Sequence, residues 1–177
     1  MSVLNTQPEN VNYLGEVNFK LEIQKIPNVT YFTQAVSLPG VTLTPLEMER
    51  PLRTPVGIAS QTLDYEELIV SFIVDEYMYN YQEIFNWIVN IVAPSDHAQF
   101  NKTERTDGLN MKGDRNLYSE IQISILSSKN NPVVRTTLHD TFPLNLSGLT
   151  YTTQDTDATY LTADVSFAYS YYEFLAL

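Results

Sequence analysis

Residues 17–26 alternate: Val17, Phe19, Leu21 and Ile23 are apolar, and Asn18, Lys20, Glu22 and Gln24 between them are polar. A period of two predicts a strand with one buried face. Pro27-Asn28 then punctuates the chain, and residues 29–38 resume a β-branched and aromatic pattern that Pro39-Gly40 ends. The two segments together predict a hairpin. Residues 68–74 (LIVSFIV) are almost continuously apolar, the pattern of a strand covered on both sides. The period then changes. Tyr81, Ile84, Phe85, Ile88, Ile91 and Val92 recur at helical spacing, and Asn80 and Glu83 are spaced as a capping box. Pro94 stops this helix and pushes Ala93 out of helical geometry. It is the one helix the pattern predicts, with Trp87 beside its apolar stripe.

Alternation returns at residues 119–127, with Ile121, Ile123 and Ile125 on one face and Glu120, Gln122 and Ser124 on the other. A polar turn at residues 129–132 leads into a strand over 133–142. After Pro143 and Gly148, a last strand is predicted over about 159–174. Leu161, Ala163, Val165, Phe167, Tyr169 and Tyr171 form one of its faces, opposite Thr162, Asp164, Ser166 and Ser170.

Two stretches break the pattern. Four of the nine prolines (Pro39, Pro45, Pro51, Pro55) fall within 39–63, with Arg50 and Arg53 between them. Proline cannot donate to a central ladder, so a projecting arm or an interrupted edge hairpin fits better than a buried strand. Residues 95–117 are polar and carry Lys102, Arg105, Lys112 and Arg115, the composition of a long loop. The fold expected is mainly β: one antiparallel sandwich or barrel over 17–177 with a single flanking α-helix, preceded by an N-terminal arm at 1–16.

Composition narrows the function. The 177 residues carry 10 Lys and Arg against 21 Asp and Glu, a formal net charge of −11. Such a surface has too little positive charge to grip nucleic acid by neutralising phosphates. Charge is also segregated: residues 54–101 hold seven acids and 136–177 five, with no Lys or Arg in either stretch. The bases fall mostly in the arm, the long loop and the turn, as suits copies that dock basic loops onto acidic neighbours. The 18% charged fraction is low and the 12 tyrosines are many, as on surfaces that a partner covers. Tyr and Thr also favour strands for their own reasons. The N-terminus lacks the pattern of a signal peptide, and no apolar run reaches the length of a membrane span.

Catalytic constellations are scarce. There is no cysteine, and the only histidines, His97 and His139, stand beside Asp96 and Asp140, where an extended chain turns neighbours to opposite sides. A histidine-based metal site lacks ligands. Asp64, Glu66, Glu67, Asp75 and Glu76 could supply a glycosidase-type carboxylate pair, but no aromatic sugar platform accompanies them. The glycines are scattered singly, and Ser37, Ser60, Ser71 and Ser147 all lack the nucleophile elbow. Neither an enzyme nor a cofactor is expected. The chain is built for contact.

Several stretches together resemble the tail tube proteins of contractile-tailed bacteriophages. The segment QAVSLPGV (residues 34–41) is similar to the close of that family's first hairpin. LIVSFIVDEYMYNYQEIFNWI (68–88) resembles its strand, acidic break and amphipathic helix, although Phe85 and Trp87 are one residue closer than the family's pair. HDTFPLNLSGL (139–149) and the terminal YSYYEFLAL complete a resemblance spanning 17–174.

The resemblance implies a fold shared with type VI secretion tube proteins, in which six copies form a ring and rings stack into a tube through which DNA leaves the capsid. It implies sheath, baseplate and tail-terminator partners, double-stranded DNA only in transit, and a place in the virion tail after assembly in the host cytoplasm. On that basis Glu120, Gln122 and Ser124 are candidates to face the lumen. Pro39, Gly40, Pro45, Arg50, Arg53, Pro55, Lys102, Arg105, Tyr171 and Tyr172 are candidates for ring-stacking or inter-subunit contact. Alternatives are a tube initiator or terminator, another contractile-injection tube subunit, or an acidic β-sandwich that binds carbohydrate.

Overall fold

A computed structural model describes residues 14–50, 53–60, 62–92, 117–152 and 160–177, with strand residues 47–50, 53–56 and 58 described as backbone. Eleven strands and two helices are assigned among these residues. Strands β1 (Phe19–Ile23), β8 (Ser119–Leu126), the first part of β9 (Pro132–Leu146) and β11 (Tyr171–Ala176) form one antiparallel sheet, in the order β1-β8-β9-β11. The rest of β9 continues into a second, β9-β10-β7-β2, with β10 (Thr162–Ala168), β7 (Leu68–Ile73) and β2 (Thr33–Ser37).

The chain changes sheets where β9 and the β10–β11 segment bend together. Asp140 takes φ 54 at a shift in register between β8 and β9, a β-bulge that leaves Glu120 opposite two residues. Across the bend, Ser170 donates its N–H to the His139 carbonyl at 3.0 Å and its hydroxyl to Asp140 Oδ2 at 3.1 Å.

The inner faces of both sheets close over one core. Leu21, Ile23, Ile121, Ile123 and Leu138 come from the first, and Leu68, Val70, Phe72, Ala163, Val165 and Phe167 from the second. Helix α2 (Tyr79–Val92) adds Ile84 and Trp87. Alternation predicts the core-facing residues within β1, β8 and β10 correctly, but Val17, expected on the buried face, lies before β1 and is 85% exposed.

Seven local expectations are corrected. The predicted hairpin over 17–38 does not form: β1 pairs with β8 and β2 with β7. Between them lies a second helix, α1 (Pro27–Phe32), with Pro27 in its first turn. Its residues favour strand locally, but as a helix α1 presents Val29, fully buried, beside Ile26 in the core. Asn28 Nδ2 donates to Glu83 Oε1 on α2 at 2.6 Å, so Glu83 serves this tie and not a capping box. The cap is Asp75, which accepts from Tyr77 N at 2.6 Å and from Tyr79 N at 3.3 Å.

The buried stripe of α2 is Asn80, Ile84 and Trp87, whereas Phe85 is 53% exposed. Strand β7 is covered on one face only, Ile69 being 47% exposed on the other. Strand β9 runs through Pro143, which faces Phe167 at a register shift where the missing donor breaks no regular ladder. The last strand is two. The break at Tyr169-Ser170 reverses the phase, so Tyr172 lies half-buried against the core and Tyr171 faces out.

The strands between 41 and 65 build two consecutive two-stranded ladders. Strand β3 (Val41–Leu43) pairs with β6 (Leu63–Tyr65), and beyond them β4 (Leu46–Arg50) pairs with β5 (Arg53–Ile58). Among the described residues neither ladder joins the main sheets.

Candidate assembly surface

Cross-strand register assembles a polar field on the outer face of the first sheet. Lys20 stands opposite Ser124, which stands opposite Arg135. The next rank is Glu22, Gln122, Thr137 and Glu173. Beyond it Glu120 lies beside His139, which pairs with Tyr171. Lys20 and Glu22 form an ion pair along the strand. The His139 ring lies between two carboxylates, Nε2 3.2 Å from Glu173 Oε1 and Nδ1 3.6 Å from Glu120 Oε1, and stacks on Tyr171 with centroids 4.7 Å apart.

The three channel candidates read from the sequence share this face with unequal exposure. Glu120 and Gln122 are partly exposed. Ser124 is only 6% exposed, because a short side chain between Lys20 and Arg135 is covered by their longer stems. The other ranks, from β1, β9 and β11, were not legible without the register.

The contact candidates scatter. Pro39 is buried, and its carbonyl lies 3.4 Å from the Tyr172 hydroxyl that donates to it. Gly40 donates its N–H to Glu66 Oε2 at 3.1 Å, tying the root of the β3–β6 ladder. Pro45 is exposed at the step into β4. Arg50 and Arg53 oppose one another at the outer end of the β4–β5 ladder, where Pro55 also lies, all three described as backbone. Lys102 and Arg105 lie outside the described residues. Tyr171 is exposed, while Tyr172 packs inside the subunit against Tyr65, Tyr169 and Phe174 at centroid distances of 5.6, 5.9 and 5.3 Å.

Two edges of the polar sheet are open. Among the described residues β1 pairs only with β8, and β11 only with β9. An unpaired edge is a template for another strand. Among those residues no cluster of side chains could hold a metal ion, and no helix is long and apolar enough to cross a membrane.

Such a fold offers a polar sheet face and, among the described residues, two edges that another strand can pair with. The family model for phage tail tube proteins matches residues 3–175, and the chain belongs to that family. It is a structural, non-enzymatic protein of the virion tail.

Solved structures agree on the fold at low identity. A chain of the anti-feeding prophage tube-terminating cap superposes with a TM-score of 0.65 at 9% identity, covering 100% of both chains. A chain of the anti-feeding prophage baseplate gives 0.63 at 13% identity, over 94% of this chain and 97% of that one. A chain of the sheath–tube complex of an extracellular contractile injection system gives 0.59 at 12% identity, over 100% and 99%. No curated protein matches by sequence.

Proposed function

We propose that this chain is the repeating subunit of the inner tail tube. Six copies close into a ring, rings stack, and the polar face of β1-β8-β9-β11 lines the channel that carries double-stranded DNA. The carrying observation is the sheet itself, four antiparallel strands with an open edge at each end and a polar outer face. Because the count is even, β11 runs opposite to β1, so the edge of one copy meets the next as an ordinary antiparallel pair. Ring closure by a repeated heterologous contact then leaves neither edge of this sheet open.

The charge supports passage of a polyanion. On the channel face the bases Lys20 and Arg135 are outnumbered by Glu22, Glu120 and Glu173, and Lys20 is held by Glu22. Phosphates meet little that would retain them. At −11 per copy, like charge opposes assembly, so apolar contacts and hydrogen bonds hold the ring. The β4–β5 hairpin and residues 1–16 are the elements assigned to ring-to-ring contact. The partners outside the tube are sheath, baseplate and terminator proteins.

A tube-end subunit is the second reading, favoured by the likeness to a chain of a tube-terminating cap. Electron microscopy of the purified chain separates the two: long tubes for a repeating subunit, isolated rings for an end. The channel assignment is tested by E120K/Q122K in the phage. Tails should assemble with normal length and particles should adsorb, while DNA release slows at least tenfold. Unchanged ejection kinetics would move the channel to another face.

A further inference from the structure

Between the open edge of β1 and the α1–β2 segment lies a cleft of about 890 Å³. Val17, Phe19, Leu21, Tyr31, Ala35 and Val36 line it, with Lys20 at its rim. On the opposite edge of the same sheet, Phe174 is 57% exposed although it points to the core side of β11. One edge has a cleft with apolar walls, and the other an apolar side chain that stays more than half exposed beside Tyr172.

The backbone of both edges agrees with their side chains. Leu126 N donates to Asn18 O and Gln24 N to Glu120 O, so the even-numbered residues of β1 bond to β8. The N–H and C=O groups of Phe19 and Leu21 therefore face the open edge. On β11, Leu177 N donates to Val133 O, which turns the backbone groups of Tyr172 and Phe174 outward by the same alternation. On each edge the outward backbone belongs to core-facing residues. An antiparallel pairing of β11 with β1 of a second copy thus joins hydrogen bonds and apolar faces together. A slip of one residue would satisfy neither.

Charge selects among the allowed registers. Lys20 is the one cation of β1, and Glu173 the one anion of β11; both lie on the polar face. We propose that β11 of one copy lies against β1 of the next with Glu173 opposite Lys20, which puts Phe174 opposite Phe19 and seats its ring in the cleft. This rests on the ring reading above and adds the residues and register of the seam.

The chain has no cysteine, so engineered pairs report contacts cleanly. Purified K20C/E173C and F174C/A35C proteins, oxidised after assembly, should give a non-reducing ladder of oligomers, while E22C/E173C, two residues out of register, gives little. F174A should raise the concentration needed for half-assembly about tenfold or more, with an unchanged circular dichroism spectrum.

Tubes seen by microscopy without a ladder from either expected pair would overturn the seam and leave the tube reading standing. A stronger ladder from E22C/E173C would overturn the register. A monomeric S2C/A35C crosslink without any ladder would show that the chain's own N-terminal residues fill the cleft, and would overturn the seat. Absence of both assembly and ladder would overturn this seam and the ring reading together.

Discussion

The indole Nε1 of Trp87 donates to the carbonyl of Leu117 at 2.8 Å, a buried hydrogen bond between the last turns of α2 and a residue two positions before β8. It ties α2 to the approach of β8, and the indole also lies 6.0 Å from the Phe167 ring. Replacing Trp87 by Phe strands a buried carbonyl and shrinks a core ring. The expected cost is about 2–4 kcal/mol. Urea denaturation followed by circular dichroism measures it, since Trp87 is the sole tryptophan and fluorescence disappears with it. A cost below about 1 kcal/mol would show that the carbonyl finds another donor.

Asn80 holds the junction of β7 and α2. It is fully buried, donates from Nδ2 to Ile73 O at 2.8 Å and accepts at Oδ1 from Tyr81 N at 2.8 Å and Asp75 N at 3.3 Å. Asn80→Ala leaves these three backbone groups without their partner, which should destabilise the subunit by about 2–4 kcal/mol. Thermal melts of parent and variant decide it, and an unchanged melting point would refute the role.

Among the described residues the β4–β5 hairpin pairs only with itself, and below it Leu43 pairs with Leu63. Residues 44–62 can therefore be replaced by Asn-Gly, a two-residue turn suited to that pair. The shortened subunit should melt within about 3 °C of the parent, equivalent to less than 1 kcal/mol in a domain of this size. Tube growth should cease while single rings remain visible by electron microscopy. Full-length tubes from this variant would remove the hairpin from stacking.

How far the sequence discloses this architecture depends on what set each local conformation. The inward and outward residues of β1 and β8 follow from alternation because one face meets the core and the other water. α1 does not follow: residues 29–32 prefer strand, and only the burial of Val29 among distant residues makes them helical. The phase reversal at Ser170 is equally hidden, since it depends on the bulge at Asp140, thirty residues earlier. For the channel face, Glu120 and Gln122 are legible as the polar side of one strand. Lys20, Glu173 and His139 join them only through register, which one strand's pattern does not specify. The family resemblance supplied the assembly, which periodicity alone leaves open.

Tyr169 offers a pH test of the same construction. Its hydroxyl donates to Glu66 O at 2.8 Å, joining the strand-switching bend to the root of the β3–β6 ladder, and Tyr65 and Tyr172 crowd its ring at 5.7 and 5.9 Å. Burial, then the neighbouring Tyr172, Tyr65 and Glu66, push its pKa up to about 12. In the unfolded chain the phenol ionises near 10. Above that pH the unfolded state releases a proton that the folded state keeps, so folding loses stability. The contribution is whole below about pH 10 and fades as pH rises toward 12. Tyr169→Phe should be less stable than the parent at pH 8 by about 1 kcal/mol, the lost hydrogen bond. Its stability should then fall less steeply between pH 10 and 12, so that the two curves converge. Denaturation midpoints across that range provide the comparison; parallel curves would mean that the Tyr169 phenol ionises alike in both states.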